Sequence, residues 1–288
     1  MNQAKLHVFI IPDEVFPAQA DMIFPHSLVK KWHLSISAPH TSSCGSATIS
    51  VRLISSYKRS KKSSLRIRQS TAEMLGIYSD GRLNMRYSPH QRRLQIGPLL
   101  GILTNNINKN ATSDEQRFGD MTRFFTECHL AAELRGIKVF LFAPEDLNVL
   151  TKQITGWTRI NGRWKQTLFP LPDVIYNRIP SRRIEERETL QQKLHWLRSR
   201  HRVQLFNERF LDKWQVHHTL WNDTAIRFML PYTQVYMDAR QLKAMLKRFS
   251  LIYIKPVNGS LGRGVIRLKL KGKHCHMQYT TLNGTITK

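Results

Sequence analysis

The sequence predicts an α/β protein with α+β elements, built from a β-rich N-terminal region, a Rossmann-like middle region and a smaller C-terminal region. Three observations lead to this prediction. Short runs with alternating apolar residues fill residues 1–97, an apolar strand–helix–strand pattern begins at Gly97, and two strand-like runs flank a glycine-rich turn near the end. Alternation is typical of half-buried strands, and an unbroken apolar run is typical of a strand buried on both faces.

Composition limits the class of protein. A chain of 288 residues with 41% hydrophobic residues has room for one large domain or two to three small ones. No apolar run approaches the roughly 20 residues that span a bilayer, so no membrane partner is predicted. The N-terminal apolar segment predicts a first strand rather than a signal peptide. Three cysteines without metal-ligand spacing indicate reduced thiols in a cytoplasmic protein: Cys44, Cys128 and Cys275.

The formal net charge of +25 indicates either a generally basic surface that keeps the protein soluble or an anionic partner. Nucleic acid, an anionic coat layer and nucleotide phosphates all fit, and charge by itself does not choose among them. Part of the excess lies in Arg52–Arg93, which holds eleven Lys and Arg against two acids. A solvated β-surface is the simpler interpretation of this stretch, and a dedicated polyanion-binding face that includes Arg66, Arg68, Arg92 and Arg93 is the alternative.

Residues 1–97 read as strands with one short helix. The helix is predicted over Ser70–Leu75, with Ser70 as the N-cap and Glu73 completing a capping box. The predicted strands are Lys5–Ile11, Ala47–Ile54, Leu65–Ile67, Leu83–Tyr87 and Arg93–Ile96.

Residues 98–205 carry a βαβ pattern. An apolar strand at Pro98–Thr104, a helix at Phe118–Arg135 closed by Gly136, and a second strand at Ile137–Ala143 predict a parallel pair. Asn161-Gly162 predicts a type I′ hairpin turn that brings Trp157 and Trp164 together. The other predicted elements are a strand at Pro172–Ile179, a helix at Glu185–Arg200 and a strand at Val203–Phe206.

Residues 206–288 begin with a predicted helix at Glu208–Trp221. Its apolar spacing predicts a buried face formed by Phe210, Leu211, Trp214, His218 and Trp221. A strand at Val235–Met237 and a basic amphipathic helix at Ala239–Phe249 follow. His217 and His218 face different directions on a helix, and His274 and His276 lack a third partner, so no metal ligands are predicted.

The most informative segment runs from Leu251 to Val265. An apolar strand delivers Lys255, and Gly259, Gly262 and Gly264 precede a second strand. Glycine allows backbone N–H groups to approach phosphate oxygens, and lysine adds a positive charge. No Gly-Lys-Ser/Thr opens a helix, which excludes a P-loop, and the continuing strand excludes a Rossmann fingerprint. The alternative is an ordinary hairpin with a loose loop.

Other polar residues are less specific. Taken by itself, Lys213 is at least as well explained by a solvent-facing position on a helix as by a role in a site. Asp173, Asn177 and Arg178 lie around the end of a strand, where open α/β sheets place ligands, although turn and sheet-edge roles explain them equally well.

Taken in order, these pieces resemble a known family. The βαβ unit, Asp-Val-Ile-Tyr-Asn-Arg from Asp173, Asn-Glu-Arg-Phe-Leu-Asp-Lys-Trp from Asn207 and the Lys255 segment resemble the ATP-grasp proteins. They are closest to the YheC/YheD group of endospore coat-associated proteins. The resemblance runs from about Ile96 to the C-terminus and implies three domains: a β-rich domain at 1–97, a pre-ATP-grasp domain at 98–205 and the first lobe of an ATP-grasp domain at 206–288.

The resemblance implies an ATP site. Lys213 and Lys255 match the family's two phosphate-binding lysines, and the loop would fold over the β- and γ-phosphates. The loop residues are Asn258, Gly259, Ser260, Leu261, Gly262, Arg263 and Gly264. Family members join a carboxylate to an amine or thiol, with Mg²⁺ neutralising the phosphate charge.

One departure from the family limits this implication. No Asp or Glu follows Lys255, although Mg²⁺ needs oxygen ligands. The sequence therefore predicts a truncated family member, without its second lobe, that binds ATP in association with the spore coat and does not ligate on its own. An incomplete lobe also predicts self-association. The alternative is a basic assembly module that contacts nucleic acid or an anionic spore-coat layer without catalysis.

Overall fold

Three β-sheets and the helices between them make up a mixed α+β fold. The computed structural model describes residues 2–56, 64–259, 262–272, 274–281 and 284–287. The sheets have eight, seven and four strands. The chain divides into two compact units, Met1–Arg209 and Phe210–Lys288. The first unit contains the two larger sheets and the second contains the smallest.

The first sheet uses residues from the N-terminus to Ile96. Its elements are β1 (Asn2–Ile11), β2 (Met22–Pro25), α1 (His26–Trp32), β3 (His40–Cys44), β4 (Ala47–Val51), β5 (Leu53–Ser56), β6 (Ser64–Arg68), α2 (Gln69–Met74), β7 (Gly81–Ser88) and β8 (Arg93–Ile96). The strand order is β4-β3-β8-β7-β1-β6-β2-β5. Sequence patterning missed β2, α1 and β3. Strand β3 is buried through polar side chains, including Ser42 and Ser43, so it carries no apolar alternation.

The capping box predicted for α2 is wrong. Arg68 occupies the N-cap position and makes no side-chain cap. The backbone N–H of Ser70 instead donates to Asp13 Oδ1 at 3.0 Å. Hydrogen bonds from the Ser70 side chain and backbone hold the pKa of Asp13 below its usual value. The cap therefore comes from a residue far away in the sequence, which local patterning does not detect.

The second sheet contains the predicted βαβ unit. Its elements are β9 (Leu99–Leu103), α3 (Thr122–Leu134), β10 (Lys138–Phe142), β11 (Leu147–Asn148), β12 (Gln153–Ile160), β13 (Arg163–Pro170), β14 (Val174–Asn177), α4 (Arg182–Glu185), α5 (Glu188–His201) and β15 (Gln204–Phe206). Strands β10, β9, β14 and β15 are parallel neighbours, which confirms the predicted parallel pair β9–β10. The helix predicted at Glu185–Arg200 is divided between α4 and α5.

The predicted hairpin turn is confirmed, but its tryptophan pair is not. Asn161 and Gly162 join β12 to β13 with φ values of 52° and 81°, as a type I′ turn requires. Trp157 lies opposite Gln166, and Trp164 lies opposite Arg159. The two tryptophans share one hydrophobic cluster without being directly paired.

The two larger sheets share one hydrophobic core. Leu6 and Val8 of the first sheet belong to the same buried cluster as Phe140 and Phe169 of the second. The β3–β4 turn reaches across, where Ser46 N–H donates to Leu171 O at 2.8 Å and Ser46 Oγ accepts from Leu171 N–H at 2.9 Å. This shared core accounts for the compactness of the first unit.

A buried histidine makes this unit sensitive to acid. His129 of α3 is 7% exposed and packs against Trp164, and its Nδ1 has no hydrogen-bond partner within the described residues. Burial, together with the positive charges of Arg159 and Lys138, lowers the pKa of His129 to about 4. The protonated form is therefore disfavoured in the folded state.

We expect the free energy of unfolding to fall as the pH drops from about 6.5 to about 4. In that window His129 binds a proton in the unfolded chain but not in the folded chain. Protonation therefore favours the unfolded state, and stability that is present at neutral pH is lost in acid. The loss attributable to His129 is about 3 kcal/mol. Denaturant unfolding across this pH range checks it. The His129→Phe variant should lack this component, and an unchanged pH dependence in that variant would contradict the assignment.

The second unit is an antiparallel sheet with two helices. Its elements are α6 (Lys213–Trp221), α7 (Ala239–Phe249), β16 (Leu251–Ile254), β17 (Ile266–Lys271), β18 (His274–Thr281) and β19 (Gly284–Thr287), with the strands in sequence order. Helix α7 has the predicted bounds and packs Leu246 against Ile252 and Leu268. No helix in the described ranges combines the length and apolar character that a membrane crossing requires.

Two predictions for this unit are wrong. Helix α6 begins at Lys213 rather than Glu208, because Asp212 caps it by accepting from Gln215 N–H at 2.6 Å. No residue of α6 is buried, so its predicted core face is exposed. The segment predicted as a strand at Val235–Met237 has no regular secondary structure.

Candidate functional site

Strands β16 and β17 and the turn between them form the predicted lysine hairpin. Ile254 pairs with Ile266 at the end of the two strands next to the turn. Lys255 follows β16 directly and has an exposed side chain. The turn contains Gly259, Gly262 and Gly264, with φ values of 133°, 72° and 70°. Residues other than glycine rarely adopt these values, so the turn requires glycine.

The turn leaves part of its backbone open. A Cβ atom added to Gly259 or Gly262 meets no described atom within 4 Å, whereas one added to Gly264 lies 3.0 Å from Pro256 Cγ. The Gly264 N–H donates to Thr280 O at 3.2 Å, so it serves the sheet. Backbone approach by a ligand is therefore sterically possible at Gly259 and Gly262. Asn258 and Arg263 are exposed, and Ser260 and Leu261, also predicted for this site, lie outside the described residues.

Lys213 connects helix α6 to the glycine turn. Its Nζ donates to Pro256 O at 2.9 Å and to Gly259 O at 2.8 Å. Its backbone N–H donates to Val257 O at 3.0 Å. An ammonium group has three protons, so two of them hold the turn and one is available to a ligand. Lys213 is exposed on a helix, as the solvent-facing interpretation predicts, and its ammonium group also contacts the glycine turn.

Both lysines line one open cavity of about 640 Å³ in the second unit. This volume falls in the range of small-molecule sites. The walls are mainly aromatic and aliphatic and come from α6, α7, β16 and the segment before α7. The aromatic residues that line the cavity are Trp214, Tyr232, Tyr236, Phe249 and Tyr253.

Gln241 orders the cavity wall that precedes α7. Its Nε2 donates to Gln234 Oε1 at 2.8 Å and to Val235 O at 3.0 Å, and its Oε1 accepts from Met237 N–H at 2.9 Å. Asp238 caps α7 by accepting from Gln241 N–H at 2.8 Å. Sequence reasoning missed this wall, although an Asp three residues before Gln241 is a recognisable capping signal.

Tyr232 and Phe249 form one end of the aromatic lining. Their ring centroids lie 5.4 Å apart, and the Arg248 guanidinium lies 4.7 Å from the Tyr232 ring centroid. The apolar spacing of α7 marks Phe249 as a helix-face residue. Nothing in the sequence near Tyr232 indicated that it faces the same cavity.

The strand-end residues of the first unit have structural contacts. Asp173 Oδ2 accepts from Leu99 N–H at 2.8 Å, and Asn177 Nδ2 donates to Glu185 Oε1 at 2.6 Å. The Arg178 guanidinium lies 5.0 Å from the Phe124 ring centroid. Within the ranges that the structure describes, no group of three or more His, Cys, Asp or Glu side chains is placed to hold a metal ion.

Comparison with known proteins supports the resemblance seen in the sequence. Residues 202–288 match the family described as YheC/D like ATP-grasp. The chain is 31% identical over 179 residues to the endospore coat-associated protein YheD of Bacillus subtilis (strain 168), covering 62% of this chain and 39% of YheD. It is 27% identical over 146 residues to YheC of the same organism, covering 50% of this chain and 40% of YheC. The chain thus spans about two fifths of the length of these relatives.

Proposed function

Because residues 202–288 match the family described as YheC/D like ATP-grasp, we propose that the second unit, Phe210–Lys288, binds ATP. One observation carries the proposal: Lys213 and Lys255 line the same cavity, beside a glycine turn whose backbone is open at Gly259 and Gly262. Two cations in the wall of a cavity of nucleotide size, next to a turn with open glycine backbone, are features that suit a polyphosphate.

The phosphate groups would lie at the lysine end of the cavity. Lys255 is exposed at the end of β16 and adds a positive charge to the cavity wall. Lys213 would bind phosphate with its remaining proton while holding Pro256 and Gly259 in place. The role proposed for Lys213 is therefore twofold, since it both contacts the ligand and positions the turn.

The base would lie against the aromatic part of the cavity. Tyr232, Phe249 and Tyr253 present ring surfaces to the same space. A purine is flat and apolar on its faces, and it stacks favourably on such rings. The cavity therefore offers both of the surfaces that an adenine nucleotide combines.

The proposal is limited to binding. Mg²⁺ is expected with ATP from the resemblance, but the donor groups do not fit it. The described residues contain no three-membered group of His, Cys, Asp or Glu suited to a metal, and residues 256–288 contain no Asp or Glu. Because both relatives are named endospore coat-associated proteins, we propose the spore coat as the place of action.

Calorimetric titration of the full chain with ATP, ADP and AMP tests the proposal. We expect one ATP per chain and weaker binding as phosphates are removed. Lys213→Ala should raise the Kd for ATP about 10- to 100-fold, because a charge-assisted hydrogen bond is lost. Lys247→Ala is the matched control, since Lys247 is exposed on α7 away from the cavity. Absence of ATP binding, or equal effects of the two substitutions, would refute the site.

A further inference from the structure

A pair of rings lies on the exposed face of the eight-stranded sheet. On the central strand β1, Leu6 and Val8 point into the core, so the alternate residues His7 and Phe9 point outwards. Phe9 is 38% exposed, and the His7 and Phe9 ring centroids are 4.5 Å apart. The two adjacent rings offer a flat apolar surface that a second flat group could stack on.

Two arginines flank this ring pair. Arg82 of β7 lies opposite His7, and Arg66 of β6 lies opposite Phe9 on the other side of β1. Neighbouring strands are about 4.8 Å apart and each residue advances about 3.3 Å, so the backbones of the two arginines are about 12 Å apart. Both are exposed, and neither has a carboxylate within 4.0 Å in the part of the chain that the structure describes.

Two acids border the patch without neutralising these arginines. Asp80 Oδ1 accepts from the Ile10 N–H at 2.8 Å, and Glu133 lies beside Gly81. Lys5, further along β1, donates to Leu134 O at 3.4 Å, so the end of α3 lies on that side of the patch. The ring–arginine patch is defined by His7, Phe9, Arg66 and Arg82.

Other arginines of the basic stretch have structural roles. Arg52 and Arg68 both pair with Asp21, at 3.3 and 3.8 Å. Arg68 also donates to Pro17 O at 2.6 Å and packs over the Phe16 ring. The inclusion of Arg68 in a polyanion-binding face is therefore wrong, because its guanidinium is committed to the fold. Fewer arginines are therefore available to a partner than the sequence indicates.

We propose that the ring–arginine patch binds single-stranded nucleic acid. Bases would stack on Phe9 and His7, and the backbone phosphates would pair with Arg66 and Arg82. Sequence-tolerant proteins of this kind combine base stacking on aromatic rings with a positively charged track. A base-free polyanion explains the arginines and leaves the exposed rings without a role, and a duplex hides its base faces. The patch therefore fits a strand with unstacked bases.

Fluorescence anisotropy of the full chain with a labelled 12-nucleotide oligothymidylate tests this proposal. Phe9→Ala should weaken binding about 5- to 100-fold by removing a stacking surface. Arg66→Gln should weaken binding and reduce the slope of log K against log salt by about 0.7, as one phosphate contact is lost. Arg163→Gln is the matched control, because Arg163 is exposed on β13 of the other sheet.

A heparin fragment and a 12-base-pair duplex, used as competitors, separate the alternatives. The proposal holds if Phe9→Ala weakens oligonucleotide binding and leaves heparin binding unchanged. It is overturned if Phe9→Ala has no effect while Arg66→Gln weakens both ligands equally, which is the behaviour of a charge-only surface. Preferred binding of the duplex also overturns it. Thermal unfolding of each variant verifies folding, and the result is independent of ATP because Phe210–Lys288 contributes no residue to the patch.

Discussion

We expect ATP to protect the wild-type chain against thermal unfolding, and replacement of Lys255 by alanine to remove most of that protection. At an ATP concentration of 100 times Kd, binding stabilises the folded state by about 2.7 kcal/mol. If Lys255→Ala raises Kd 100-fold, the same ATP concentration contributes only about 0.4 kcal/mol. For a unit of the size of Phe210–Lys288, each kcal/mol corresponds to about 4–8 °C in Tm, so most of a large shift should disappear.

Differential scanning fluorimetry with and without ATP measures this effect. Lys255 is exposed, so the variant should unfold at nearly the wild-type temperature when ATP is absent. Lys247→Ala should keep the full ATP shift, because Lys247 does not line the cavity. If ATP protects Lys255→Ala fully, Lys255 is not part of the site. If ATP does not raise the Tm of the wild-type chain, ATP binding itself is refuted.

Substitution of Gly45 by alanine is expected to destabilise the first unit by about 3–5 kcal/mol. Gly45 has a φ of 53° in the β3–β4 turn, a conformation that disfavours any residue with a Cβ atom. The added Cβ would also overlap Leu171 O, the same carbonyl that accepts from Ser46 N–H. The methyl group would force the turn away from the second sheet at a point where the two sheets share their core.

Denaturant and thermal unfolding of Gly45→Ala test the prediction, and Tm should fall by about 10 °C. Gly119→Ala is the matched control, since Gly119 has a φ of 54° but no described atom within 4 Å of an added Cβ. The control should cost only about 1 kcal/mol, for the backbone conformation. Equal effects at both positions would show that contact with Leu171 does not matter.

The well-predicted elements are those that short-range chemistry defines. The apolar and basic positions of Ala239–Phe249 define α7 to both of its ends. Asn161-Gly162 defines its hairpin turn, because few other dipeptides accept two positive φ values. The strand–lysine–glycine turn–strand order of Leu251–Val265 was also evident from the residues.

The missed elements depend on partners far away in the sequence. Polar strand β3 is held in the sheet by its pairing with β4 and β8, and α2 is capped by Asp13 rather than Ser70. Apolar spacing in α6 predicted burial, yet the residues that were to form its core face stay largely exposed. Periodicity describes which residues share a face and does not reveal what covers that face.

For the proposed ATP site, residue chemistry singled out Lys255 and the three glycines. The family resemblance added Lys213. Only the folded chain decided that both lysines line one cavity, that Lys213 holds the turn through two carbonyls, and that Tyr232 and Phe249 supply its aromatic wall. The same holds for the arginines of the first sheet, where Arg52 and Arg68 pair with Asp21, whereas Arg66 and Arg82 form no ion pair with any described residue. The physical reason is common to both cases: residue type and spacing set local backbone preference and charge, whereas proximity between distant segments arises only when the sheets and the core assemble.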